Sequence, residues 1–314
     1  MELCVDMRIA IADSFVLKIQ TSFLGRRPEG TTTMENQIGW WLPVNISAHG
    51  AGIDQLINVV HVFMLVLFIG WGAFFVFCLV RFRSRSGHKA ETQVKHFKVP
   101  MYLEIGILLF EIFLLVFLSS PIWYEVKTAF PAEKDALVVN ILAEQFAWNI
   151  HYPGKDGKFG TTKPELMDGT NPIGLDRASE GGADDIFTIN NLHIPVNKPV
   201  IVHLQSKDVI HSFFLPVMRV KQDAIPGQSI PLWFQATQTG EFEIACAQLC
   251  GIGHYRMRGQ FFVDTPENFD KFIAEETATL TGETTEGVVN PAVDAAPSAP
   301  APEASAQPEG SHHE

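Results

Sequence analysis

Residues 246–257 read Cys-Ala-Gln-Leu-Cys-Gly-Ile-Gly-His-Tyr-Arg-Met, a Cys-x3-Cys-x3-His-x2-Met spacing held in one loop. Just upstream, residues 241–245 alternate as a strand does, so the loop leaves a rigid sheet. Thiolate, imidazole and thioether are soft donors and together favour copper. A mononuclear blue-copper site uses one Cys, two His and a weak axial Met. This loop has one Cys too many for that and one His too few. Two thiolates can instead bridge a pair of copper ions, each with its own imidazole, and that requires a second His from elsewhere. His211 is the natural candidate, in the apolar run Asp208-Val-Ile-His-Ser-Phe-Phe-Leu-Pro216. A zinc site through His211, Cys246, Cys250 and His254 also fits the spacing, but it leaves Met257 unused because thioether is a poor zinc ligand. A Cys246–Cys250 disulfide would leave both His254 and Met257 without a role. Copper is the preferred reading.

Working outward, the chain around the loop has a β pattern. Residues 136–152, 186–190, 200–205, 209–215, 230–236, 241–245 and 259–264 are apolar or alternating runs. Turn residues such as Val196-Asn-Lys-Pro199 and Ile225-Pro-Gly-Gln228 punctuate them. Such a series predicts a sandwich or a Greek-key barrel. Residues 153–185 form a Gly-, Pro- and Asp-rich insertion too long for a hairpin loop, read as a flap or a spacer. From residue 277 the chain is Thr, Glu, Pro and Ala with almost no large apolar side chains, the composition of a disordered tail. His312 and His313 near its end read as incidental.

Before the β region lie two membrane spans. Residues 57–80, INVVHVFMLVLFIGWGAFFVFCLV, carry no formal charge. A helix needs about 20 apolar residues to cross a bilayer. His61 inside this stretch reads as a residue near the headgroups. A second span at 103–123 contains Glu104 and Glu111. Carboxylates inside spans usually face a protein partner or a water path. Glu104 is read at the water boundary, and Glu111 as neutral and buried against another subunit. The intervening loop, residues 81–98, carries Arg81, Arg83, Arg85, Lys89, Lys95 and Lys98 against Glu91 alone. The positive-inside rule places it in the cytoplasm, and both termini on the outer side. Residues 1–33 make a poor signal sequence, with Glu2 and Asp6 early and Asp13 interrupting the apolar run. They read as an amphipathic helix or, preferably, as residues ahead of a true initiator at Met34. The expected organisation is an N-terminal segment 1–52, a helical hairpin 53–124, an exported β domain 125–276 holding the 153–185 insertion, and a tail 277–314.

Composition agrees. At 46% hydrophobic and 18% charged residues, the chain is not wholesale disordered. A net charge of −12 argues against a nucleic-acid binder. Four cysteines are too few for a disulfide scaffold. Residues 125–314 hold 26 Asp and Glu against 13 Lys and Arg, so the acidity is exported and suits a basic soluble partner.

Over roughly residues 45–275 this combination resembles cytochrome c oxidase subunit II. The resemblance implies a membrane-anchored all-β protein, a two-helix hairpin followed by an exported cupredoxin-like Greek-key β-barrel. It implies a dinuclear copper centre (CuA) held by His211, Cys246, Cys250, His254, Met257 and the backbone carbonyl of Gln248. The stretches from Asp208 to Gly227 and Leu103-Glu104-Ile105 also look like the family's, and there the Glu lies near the mouth of a proton pathway into subunit I. The implied activity is electron uptake from cytochrome c, soluble or membrane-tethered, and transfer to haem in subunit I. Oxygen is reduced to water there with proton pumping, in an oxidoreductase of the translocase type. The implied partners are subunits I and III and the lipid of a bacterial inner membrane. Two positions depart from the family. Gln248 replaces the usual Glu, which weakens the case for a magnesium or manganese ion at the subunit I boundary. In Glu144-Gln145-Phe146-Ala147-Trp148, Phe146 stands where the family commonly has the Trp that receives electrons, so Phe146 and Trp148 are the candidates for that role. No Cys-x-x-Cys-His motif occurs, so no haem is expected in this chain. Nitrous oxide reductase shares the copper motif but needs a second large domain. Quinol oxidase subunit II lacks the copper ligands, and a copper carrier needs neither the spans nor Glu104.

Overall fold

Two long helices come first in the computed structural model, which describes residues 42–87 and 98–281. The 1–33 segment, part of the 81–98 loop and the chain beyond residue 281 lie outside the described residues. Helix α1 is Gly50–Arg81. Helix α2, Val99–Phe113, runs through a π-helical turn, Leu114–Ser119, into α3, Ser120–Thr128. Both helical rods are long and apolar enough to cross a membrane. The first begins well before residue 57. Hydropathy marks bilayer thickness, whereas the helix continues outward through polar residues such as Asp54 and Gln55. The wide turn in the second has a local cause. Pro121 has no N–H to donate and its ring crowds the preceding turn. The Ser120 N–H and hydroxyl both reach the Leu115 carbonyl instead, the hydroxyl at 2.9 Å.

The strands are β1 (Leu137–Glu144), β2 (Ala147–Tyr152), β3 (Ile186–Ile189), β4 (Asn191–Pro195), β5 (Pro199–Ser206), β6 (His211–Leu215), β7 (Val220–Ala224), β8 (Ile230–Gln235), β9 (Gly240–Cys246) and β10 (Arg258–Asp264). They form two five-stranded sheets, ordered β3-β2-β1-β5-β8 and β4-β10-β9-β6-β7. Alternation sets the core. Val139, Ile141 and Ala143 of β1 face inward, and Phe261 and Val263 of β10 meet them from the other sheet. The 136–152 run is two strands rather than one, paired Glu144 to Ala147 around a tip at Gln145 and Phe146. Strands β4 and β7 were not expected, because NLHIP and VKQDA are too short and polar to show a period. Helix α4, Pro266–Thr281, was also missed. Its apolar stripe is only Phe269, Phe272 and Ile273, which pack on the core. It carries ordered chain past residue 277, where the tail was expected to begin.

Two features tie the helices to the sheets. Residues 44–48, assigned to the N-terminal segment from sequence, belong to the β core. Ile46 is 1% exposed. Its N–H donates to the Val217 carbonyl at 3.0 Å, and its carbonyl accepts from Thr237 N–H at 2.7 Å. Arg219, in the left-handed region after a tight turn, places Nε and Nη2 on the Asp54 carboxylate of α1 at 2.7 and 3.1 Å. The 153–185 insertion is anchored by Asp185, which is fully buried. It accepts from Gly154 N–H at 3.1 Å, Gly160 N–H at 2.8 Å and His151 Nε2 at 2.6 Å.

Candidate metal centre

The loop between β9 and β10 is closed at its base. Cys246 N–H meets the Met257 carbonyl at 3.3 Å, and Ala247 N–H meets Ser212 of β6 at 2.9 Å. Because β6 pairs with β9 with Phe213 opposite Cys246, His211 lies on the same face as Phe213 at the loop end of the sheet. The loop folds back through a short turn, His254–Arg256, that returns Met257 to the sheet.

The donor atoms converge. Cys246 Sγ and Cys250 Sγ are 3.8 Å apart, far outside the about 2.05 Å of a disulfide, and both cysteines are free. Cys250 Sγ lies 3.6 Å from His254 Nδ1 and 3.6 Å from Met257 Sδ. His211 Nδ1 lies 3.2 Å from Met257 Sδ, and the Gln248 carbonyl 3.2 Å from Cys246 Sγ. Ligand atoms of His211, Cys246 and Cys250 all fall within 4.8 Å of one another. His211, Cys250 and Met257 are buried, while Cys246 and His254 are half-buried and Gln248 is exposed. The site therefore lies just beneath the surface. Burial, and then the neighbouring Cys246, push the Cys250 thiol up to about 11. A thiol must give up its proton to ligate a metal, so binding at Cys250 would release one. The donor set fits a soft metal.

Around this cluster the sequence expectations divide. Phe213 is buried under His211, with its ring edge-on to Trp148 at 5.4 Å. Phe214, the next residue, points to the opposite face because side chains alternate, and Lys221 Nζ lies 4.5 Å from its ring centroid. Trp148 is 0% exposed and sits 6.2 Å from the His211 ring. A fully enclosed indole cannot touch a donor protein, which corrects its expected place at the point of electron arrival. Phe146 is half-buried at the tip of the β1–β2 hairpin. It lies flat against the ligand loop, so close that a Cβ on Gly253 would stand 2.3 Å from its ring. The Arg256 guanidinium lies 5.8 Å from the same ring's centroid. Glu104 and Glu111 are both exposed on α2, on the membrane-spanning part of the chain.

Two residues with no role assigned from sequence complete the surroundings. Gln145 Nε2 donates to the Cys250 carbonyl at 2.5 Å. Asp208 accepts from His211 Nε2 at 2.8 Å. Burial works to raise the Asp208 carboxyl, but hydrogen bonds from His211, Gln145 and Val209 outweigh it and hold the group below its ordinary range. The Asp-x-x-His spacing was the available signal.

The family model described as cytochrome c oxidase subunit II, periplasmic domain, matches residues 137–260. The alternative cytochrome c oxidase subunit 2 of Bradyrhizobium diazoefficiens is 33% identical over 238 residues, covering 76% of this chain and 84% of that one. Cytochrome c oxidase subunit 2 of Synechocystis sp. is 29% identical over 253 residues, covering 74% and 75%. A solved periplasmic domain of cytochrome oxidase subunit II from Bradyrhizobium japonicum is 30% identical, with 46% of this chain and 95% of that one covered at a TM-score of 0.34. With two apolar helices, a two-sheet domain and a relative 33% identical that is covered over 84% of its length, the chain belongs to the cytochrome c oxidase subunit II family, as a membrane component of a respiratory terminal oxidase.

Proposed function

We propose that this chain is the electron-accepting subunit of that oxidase and holds a dinuclear copper centre. His211, Cys246, Cys250, His254, Met257 and the Gln248 carbonyl would hold the two ions. Copper bound there would supply reversible one-electron storage, and this chain's own residues would hold it without bond chemistry of their own. The observation that carries the reading is the convergence of these six groups, from the start of β6 and from the end of β9 and the loop after it, into one partly buried cluster. The thioether of Met257 favours copper over zinc.

The chain's own residues shape the route. Phe146 offers an apolar aromatic surface at the hairpin tip for the arriving electron, and the enclosed Trp148 and Phe213 exclude water beneath His211. The donor is cytochrome c, soluble or membrane-tethered, drawn by the acidic exported domain, so its association slows as salt rises. Onward transfer goes to haem in subunit I, with subunit III completing the assembly. Glu104 stands at the mouth of a proton path, and Gln248 disfavours a magnesium or manganese ion. The 81–98 loop faces the cytoplasm of a bacterial cell and the β domain faces the periplasm. Copper analysis of the purified full chain, with its near-infrared and EPR spectra, tests the reading. Two coppers per chain and a delocalised dinuclear signal are expected, and Cys246→Ser should remove that signal because a hydroxyl is not the soft donor a thiolate is. One copper per chain, or zinc retained in place of copper, overturns the reading.

A further inference from the structure

Asp208 lies outside the donor set, yet its carboxylate is used on both sides of the site. Oδ1 accepts from His211 Nε2 at 2.8 Å and from Val209 N–H at 2.6 Å. Oδ2 accepts from the backbone N–H of Gln145 at 2.7 Å. Gln145 is 63 residues away in sequence, at the tip of the β1–β2 hairpin and directly before Phe146. The same two loops are held together at their base, where Lys207 N–H donates to the Ala143 carbonyl at 2.9 Å and Lys207 Nζ to Glu144 at 2.7 Å. The carboxylate is thus a wedge between the loop that leads into His211 and the turn that carries Phe146.

The geometry also selects a proton position. An ionised carboxylate only accepts, so the His211 nitrogen facing it carries the hydrogen. Nε2 is therefore the nitrogen that donates to Asp208, and Nδ1 is the one left for a metal. Nδ1 is the atom aimed at the sulfurs, 3.2 Å from Met257 Sδ. A carboxylate behind a ligating imidazole fixes its ring orientation and raises its basicity. Negative charge in that place also stabilises the more oxidised state of a metal on the other side of the ring.

We propose that Asp208 is a positioning residue that couples the metal-facing nitrogen of His211 to the aromatic hairpin tip, so that one carboxylate sets both the imidazole tautomer and the seat of Phe146. This rests on the copper reading above for its electronic consequences, but not for the tautomer. Asp208→Asn separates the roles from mere packing, because the shape is kept while the charge is lost. Whichever way the amide turns, its NH2 group must face a donor, either His211 Nε2–H or the Gln145 N–H.

The experiment uses the full chain in detergent, wild type beside Asp208→Asn. In the copper-free chain, nitrogen-15 spectra of the histidines should place the His211 proton on Nε2 in the wild type and on a mixture of both nitrogens in the variant. After loading with copper alone, the variant should bind about 10- to 100-fold more weakly. Its midpoint potential should lie higher than that of the wild type. Reduction by horse cytochrome c should slow more than reduction by hexaammineruthenium(II), since only the protein donor depends on the hairpin tip. A variant that melts earlier but keeps the wild-type tautomer, copper affinity and potential would show a purely structural carboxylate and overturn the proposal. If the wild-type chain holds no copper pair, the copper reading falls on that result, while the copper-free spectra still decide whether Asp208 sets His211.

Discussion

Gly253→Ala puts one methyl group between the ligand loop and Phe146. Gly253 has φ −86°, a conformation alanine adopts without strain, so the backbone contributes nothing to the effect. The methyl carbon would lie 2.3 Å from Phe146 Cδ2 and 2.6 Å from Cε2 and Cγ. Ordinary contact begins at 3.4 Å, so ring and loop must part by about 1.1 Å. Overpacking of this kind costs about 1–3 kcal/mol. Phe146→Ala alone removes a half-buried ring and should cost about 2 kcal/mol, below the range for fully buried Phe. In the double variant the methyl group finds the space the ring has left. The two costs should therefore fail to add by about 1–3 kcal/mol, well beyond the ~0.5 kcal/mol seen for independent sites. Denaturant unfolding of the four copper-free chains, followed by the fluorescence of the sheet domain, gives the cycle. Reduction of the copper-loaded chains by cytochrome c should slow in each single variant, and in Phe146→Ala the copper spectrum should be unchanged. Costs that add within ~0.5 kcal/mol would mean that Phe146 does not lie on the loop, and unchanged rates would remove it from the electron's path.

Other expectations follow from the packing and the charges. Ile46→Ala should cost about 2–5 kcal/mol in unfolding of the β domain, although the residue precedes the first span; a loss within ~0.5 kcal/mol would contradict its place in the core. A cysteine placed at Gly87 should react with an impermeant reagent only in inside-out vesicles, and labelling of intact cells would reverse the orientation. His193 stacks between Phe262 and Phe272 at 4.2 and 4.0 Å and bonds Asp264 at 2.8 Å. Burial holds its pKa below the ordinary 6.5 despite Asp264. A depressed imidazole pKa stabilises the fold above 6.5, and that contribution is lost as pH falls through the folded value. Melting temperature should therefore drop on acidification below neutrality, and His193→Phe should flatten the dependence; an equal slope in the variant would exclude His193 as its source.

What could be read from the chain follows from how locally each feature is encoded. The cluster at 246–257 was visible because four of its side chains lie within one loop, and His211 because an imidazole in an apolar strand needs a reason. The spans were visible because the bilayer imposes a length and a composition. Strand β7 and helix α4 were not, because VKQDA and PENFDKFIAEETATLT gain their burial from distant partners rather than from their own pattern. The enclosure of Trp148 and the outward turn of Phe214 depend on which face of a sheet is covered, which a list of aromatic residues does not state. Asp208 was quoted only as part of a matching stretch. Its meaning depends on Gln145, brought beside it by the parallel pairing of β1 with β5.

The place of Ile46 bears on how the protein comes to be made. Residues 44–48 and the strands from Leu137 onward share one core, yet the whole helical hairpin is threaded between them. The first piece of that core is synthesised before either span, and it must wait, unpaired, until the rest has crossed. The core closes only if the chain has gone in and come back out. Should one helix fail to insert, Ile46 and Phe234 would be left on opposite sides of the bilayer, and the barrel would lack a wall. Completion of the β domain thus acts as a check on membrane insertion, and only a correctly inserted chain brings His211 and the 246–257 loop together.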